Sequence, residues 1–200
     1  APHLGPAQVP VALDFLIRTG LADEVEGVRA AMVGAGVAVV DAHGGGPAGA
    51  TMMPLFEGFL DPSKRAGMSH EEETAYDLVR EGVVVLLGTL ARHLPADATK
   101  KRADIVEVLL EVMKTPSESV QRAVSTCLPP LATALASDKA YMDGLVARLL
   151  EMTTKGKTYG ERRGAAFGLA GVVKGLGAMA IKNAGILDAL KVAIEDKKEA

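Results

Sequence analysis

Residues 159–177 read YGERRGAAFGLAGVVKGLG, with glycines at 164, 168, 171 and 175, spaced four, three and four apart. Such a spacing fits a phosphate-cradling loop, a membrane-dimerising helix, or a helix with one small face. The surrounding chain decides between them. The stretches VREGVVVLLGTLARHL (79–94), VQRAVSTCLPPLATAL (120–135) and ERRGAAFGLAGVVKGL (161–176) align without a gap, offset by 41 residues from 79 to 120 and again from 120 to 161. Apolar or small residues then fall in columns: Val83, Val124, Ala165; Leu87, Leu128, Leu169; Leu90, Leu131, Val172; Leu94, Leu135, Leu176. Within each segment they recur at i, i+4, i+7 and i+11, which is the buried stripe of a helix. A further column, Gly82, Ala123 and Gly164, is small throughout, and with Gly168 it marks an expected inter-helix seam.

Each of these segments is followed by a second amphipathic one: ADIVEVLLEVMK (103–114), YMDGLVARLLEM (141–152) and ILDALKVAIEDK (186–197). A looser copy precedes them, VRAAMVGAGVAVVDAH (28–43) followed by ATMMPLFEGFL (50–60), with Ala31 in the small column. PVALDFLIRTG (10–20) reads as the second helix of a repeat whose first half is missing. A helix-pair period near 40 residues is that of HEAT or armadillo arrays. The expectation is an all-α fold, a right-handed α-solenoid of HEAT-type helix pairs forming one array over 1–200. Its parts are a trailing helix (8–20), repeats at 28–61, 77–115, 118–153 and 160–198, and an exposed insert loop at 62–76. The insert, within DPSKRAGMSHEEETAY (61–76), is polar, turn-rich and without period. Pro129-Pro130 lies inside an apolar helical stripe, where missing N–H donors and ring clashes predict a kink.

Composition agrees with a folded helical chain. Hydrophobic residues make up 48% and charged residues 24%, while aromatics are 4% and Trp is absent. Cores built from Ala, Leu, Val and Gly suit close helix packing. A net charge of −3 argues against a dedicated nucleic-acid binder, leaving only local patches for such contacts. The single cysteine, Cys127 in VSTCLPPL, supports neither an internal disulfide nor a cysteine-rich zinc site; it reads as a core residue in a reducing, cytoplasmic setting. The start APHLGPAQVP carries no signal-peptide pattern, and both ends suggest a piece of a longer chain.

Several motifs have enzymatic look-alikes. HGGGP (43–47) resembles the oxyanion-hole run of some α/β-hydrolases, but no G-x-S-x-G elbow accompanies it; a glycine-rich turn with a left-handed cap is the expected role. Gly175-Leu176-Gly177-Ala178-Met179-Ala180 matches G-x-G-x-x-A, with Glu195 and Asp196 downstream, but the strand and βαβ unit that a dinucleotide site needs are missing. GAAFGLAGVVKGLGAMAI (164–181) holds two G-x-x-x-G pairs, but Lys174 would lie mid-span, which rejects a membrane helix. Histidines at 3, 43, 70 and 93 lack metal-ligand spacing, and SHEEE (69–73) reads as an acidic solvated loop. No catalytic, cofactor-binding or metal-ligating set is expected, and no small-molecule substrate.

Two basic clusters remain, Lys100, Lys101, Arg102 and Lys155, Lys157, Arg162, Arg163. Both fall at expected repeat turns, which in a solenoid line up along one ridge able to touch phosphates. Solvated turn charge is the plainer reading. Arg29, Arg80 and Arg162 share a repeat position with Gln121, which points to a partly structural role for Arg162.

The wording of VREGVVVLLGTLARHL, of TPSESVQRAVSTCLPPL (115–131) and of YGERRGAAFGLAGVVKGLG closely resembles the general-control translational activator family. These are very large HEAT-repeat proteins that activate the amino-acid-starvation kinase of initiation factor 2 alpha. The resemblance is strongest over 76–198 and looser through 12–44. It implies a scaffold segment in or near the family's elongation-factor-3-like region, with the ribosome and other proteins as partners and with kinase docking outside these residues. It makes Lys155, Lys157, Arg162 and Arg163 the candidate ribosomal or RNA contacts. The rival expectations are a generic HEAT adaptor, such as a transport or phosphatase scaffold, and a nucleotide-binding fragment at 170–196.

Overall fold

The computed structural model describes residues 3–177 and 186–195, and every regular element among them is helical. α1 (Gln8–Phe15) runs on into a π-helical turn, Leu16–Gly20. Then follow α2 (Glu26–His43), α3 (Gly49–Leu60), a 3-10 turn (Pro62–Arg65), α4 (His70–Arg92) and α5 (Thr99–Val112). The remainder is α6 (Glu118–Leu135), α7 (Lys139–Lys155), α8 (Tyr159–Leu176) and α9 (Ile186–Glu195). Residues 178–185 and 196–198 of the expected last repeat lie outside the described residues, as do Ala178 to Ala180 of the dinucleotide-like motif and Asp196. The chain divides into two compact units, Ala1–Val112 and Met113–Ala200.

In the first unit α2 packs on α4, and α3 on α4 and α5. The core takes Leu13 and Ile17 from the leading helix, Val40 from α2, Met52 and Phe56 from α3, Val83 and Leu87 from α4, and Leu109 from α5, all fully buried. Each such side chain contributes about 1.5–3 kcal/mol on leaving water. Three of the four apolar columns are buried in every copy. The fourth is buried only at Leu135; α4 has already ended at Arg92, so Leu94 is half-exposed, and Leu176 is the last residue of α8.

The insert at 62–76 corrects the expected loop. Asp61 Oδ1 accepts from the Ser63 N–H at 2.9 Å, Gly67 turns the chain at φ 84°, and α4 begins at His70. A capping box starts this helix: Ser69 Oγ accepts from the Glu72 N–H (3.3 Å) and Glu72 Oε2 from the Ser69 N–H (2.7 Å). Glu71, Glu72 and Glu73 complement the positive end of the helix dipole. SHEEE is therefore a helix start, not a loop. The repeat register aligns Asp77 with Glu26, Glu118 and Tyr159, the first residues of α2, α6 and α8, so α4 begins seven residues early, at 70 instead of 77. On this extension Asp77 Oδ2 lies 3.2 Å from Arg65 Nη2, and its Oδ1 lies 3.6 Å from Nη1 of Arg80, a residue 1% exposed. Burial raises the Asp77 carboxyl above its ordinary range, and the two guanidinium groups partly offset the rise.

In the second unit α8 packs against α6 and α7. α8 starts at another capping box, Thr158 with Glu161, and stops at Gly177, whose φ of 85° suits glycine alone. Main chain meets main chain where α8 packs on α6 and on the turn before it. A Cβ at Gly164 would run into the Met113 carbonyl, one at Gly175 into the Pro129 carbonyl, and one at Gly171 would lie 2.5 Å from the Ser125 carbonyl. Gly168 instead faces the flexible end of Met113, and Ala123 is half-buried. In the first unit Gly82 faces a side chain, Leu21. Pro129 and Pro130 lie within α6, which continues to Leu135. Lacking N–H groups, they leave the Ser125 and Thr126 carbonyls without their i+4 donors. Ser125 O is the carbonyl that Gly171 lets the neighbouring helix approach.

Candidate functional site

The Arg/Gln column closes each first helix onto the chain before it. Arg29, Gln121 and Arg162 are each the fourth residue of their helix. Arg29 Nη1 donates to the carbonyls of Asp23 (2.8 Å) and Glu24 (2.9 Å). Gln121 Nε2 donates to those of Thr115 (2.6 Å), Met113 (3.2 Å) and Gly160 (2.8 Å). Arg162 Nη1 donates to Gly156 O (2.7 Å), at the end of α7. Arg80 stands where the extension replaces the preceding turn; it takes Asp77 and the Tyr76 ring instead, and its buried Nε has no partner.

The turn from α7 to α8 carries the expected basic cluster. Lys155 is exposed and lies 3.5 Å from Glu151; the Lys157 side chain is exposed. Glu161 is held by the N–H groups of Lys157 and Thr158. Arg163, expected to face outward, is spent internally. Its Nε donates to Gln121 Oε1 (2.8 Å), Nη1 to Glu118 Oε2 (3.1 Å) and Nη2 to Pro116 O (2.6 Å). The same guanidinium lies over the Tyr159 ring, 5.5 Å from its centroid. Arg122 and then Arg163 hold the Glu118 carboxyl below its ordinary range, the hydrogen bond from Arg122 being the larger cause. The structure thus separates the four candidates: two lysines face solvent, Arg162 holds the turn, and Arg163 ties the start of α8 to α6 and to Pro116 ahead of it. Tyr159 escaped sequence reasoning, because an aromatic first residue gives no signal until the helix start is known.

The second basic cluster divides similarly. Lys100 pairs with Asp104 at 3.1 Å and Lys101 is exposed. Arg102 is buried, donating to the carbonyls of Leu94, Pro95 and Ala96 just past the end of α4.

Gly44 and Gly175 of the enzyme-like motifs sit at close backbone approaches. Gly44, Gly45 and Gly46 form the turn into α3, where a Cβ at Gly49 would run into the Gly44 carbonyl. Close approach, not a left-handed cap, requires glycine here; Gly44 has φ −62°. A cleft of about 490 Å³ beside this turn includes His93, whose Nε2 lies 2.7 Å from Asp41 Oδ1. Glu57, Lys101 and Asp104 also line it. Gly175 of the dinucleotide-like motif is pressed against α6. Among the described residues no cluster of His, Cys, Asp or Glu could hold a metal ion, and no helix is long and apolar enough to cross a membrane. Cys127 is buried.

Comparison with known proteins adds the remaining observation. A family model described as the HEAT repeats of the stalled ribosome sensor GCN1 matches residues 1–92. Protein ILITYHIA of Arabidopsis thaliana is 48% identical over 200 residues, the whole of this chain. The human stalled ribosome sensor GCN1 is 38% identical over 196 residues, 98% of the chain. The eIF-2-alpha kinase activator GCN1 of Saccharomyces cerevisiae is 36% identical over 189 residues, 94% of the chain. The chain spans only 6–7% of the length of these relatives. No solved structure matches it.

Proposed function

Because the chain belongs to the GCN1 family of HEAT-repeat proteins, we propose that it is a non-catalytic scaffold segment of a ribosome-associated translational regulator. In this reading the whole protein works in the cytoplasm and activates the starvation-responsive kinase of initiation factor 2 alpha, with kinase docking outside these residues. The observation that carries the reading is similarity along 94–98% of the chain to relatives named as a ribosome sensor and a kinase activator. The packing supports it: the glycines and most of the arginines that look chemical are engaged in joining helices. Lys155 and Lys157 supply the outward charge for ribosomal phosphates, Arg162 holds the turn that presents them, and Arg163 fixes the start of α8 on α6. Other proteins take the remaining helical faces.

The test is reversal of the two lysines, K155E/K157E, in the full-length parent, with ribosome association followed on sucrose gradients at graded salt. Association weakens, and the slope of log affinity against log salt becomes shallower by about 1–2, as expected for two lost phosphate contacts. A parent absent from ribosomal fractions, or a double variant with an unchanged slope, overturns the assignment.

A further inference from the structure

We propose that Tyr159 is a base-stacking post, so that the turn between α7 and α8 takes an unpaired RNA segment and not a duplex. The choice of RNA rests on the ribosomal reading above; the stacking rests on the geometry of this turn. Tyr159 is 70% exposed although it is the first residue of a helix in a packed unit. Its ring sits against the Arg163 guanidinium at 5.5 Å from the centroid. That guanidinium is itself fixed by Gln121, Glu118 and the Pro116 carbonyl. The ring is thus backed by a held cation while much of its surface meets water. Phe59 and Phe167 also carry cations, Arg18 with Lys64 and Arg122 respectively, but both rings are half-buried. Among the described aromatics Tyr159 alone joins high exposure to a cation contact.

Two exposed lysines precede it. Lys157 stands two residues before the ring and Lys155 four before. The nearby carboxylates are engaged: Glu161 in the capping box, Glu151 with Lys155, and Glu118 with Arg122 and Arg163. A cationic track beside an exposed, backed aromatic is the arrangement on which unpaired bases stack, tolerant of sequence because every base has a π-face. A duplex keeps its bases inside and offers such a post nothing beyond phosphate.

The experiment uses the whole chain, with binding of a fluorescein-labelled uridine dodecamer and of a 12-base-pair RNA duplex read by anisotropy. The single strand binds more tightly than the duplex. Y159A weakens single-strand binding by about five- to a hundredfold with its salt slope unchanged. Y159F retains it, since the ring remains, and circular dichroism checks that both variants keep the wild-type helix content. K155E/K157E lowers the slope instead. Equal binding by Y159A and wild type, or a duplex bound as tightly as the single strand, overturns the stacking post while salt-dependent binding keeps the ribosomal reading. Absence of binding to both RNAs overturns the stacking post, while the ribosomal reading stands or falls on the sucrose-gradient experiment.

Discussion

A methyl group added at Gly164 has nowhere to go, because its neighbour is the Met113 carbonyl, which cannot rotate away as a side chain can. At Gly168 the neighbours are the thioether end of Met113 and Leu149 Cδ2, and Met113 can change rotamer. Gly144, inside α7, faces open space. Three Gly→Ala changes on one helical background should therefore differ in sign and size. Gly164→Ala costs about 1–3 kcal/mol through overpacking, Gly168→Ala is close to neutral, and Gly144→Ala stabilises by about 0.5–1 kcal/mol. Denaturant titration of the three variants checks this, and equal effects would refute the distinction. The sequence shows where small residues recur, because a column survives alignment. It does not show what each one faces, since a carbonyl and a methionine tip leave the same glycine behind. For the same reason Arg163 passed for a surface charge: its partners Gln121, Glu118 and Pro116 lie more than 40 residues away.

Helix α4 owes its early start to the Ser69–Glu72 capping box, whose hydrogen bonds from the Ser69 backbone and side chain hold the Glu72 carboxyl below the ordinary range. A carboxylate that titrates lower in the folded chain stabilises above its unfolded value, about 4.3 for glutamate. That stability is lost as the pH falls through the lowered folded value. Wild type should then melt above E72Q at neutral pH, with the gap closing under acid, where protonated Glu72 resembles the amide. Thermal melts at pH 7, 5 and 3 read the gap directly; a gap constant across pH would count against the assignment. Asp77 acts in the opposite sense: burial raises its carboxyl, so its contribution is greatest below the unfolded value and is lost as the pH rises through the folded one. The early helix start was present in the sequence as S-x-x-E, but the polar, turn-rich composition of 61–76 pointed to a loop. Local hydrogen bonding prevailed over composition because it satisfies the first N–H groups of the helix.

The division into Ala1–Val112 and Met113–Ala200 was not legible in the sequence, since the 41-residue offset from 79 to 120 runs straight across it. It has a direct consequence for cooperativity. Gly164→Ala should raise amide hydrogen exchange across α6, α7 and α8 and leave α2 to α4 unchanged; acceleration of both units alike would show that they open as one. The helical class, the repeat period and most of the core stripe were readable because periodicity survives without tertiary context. The seam types were not, and they differ in mechanical character. In the first unit Gly36 and Gly82 meet the Leu86 and Leu21 side chains, which yield by changing rotamer. In the second, Gly171 and Gly175 meet carbonyls of α6, which yield only if a helix moves. Within the first unit a pull would therefore be taken up as elastic give between α2 and α4; within the second, α6 and α8 would move together as a stiff pair.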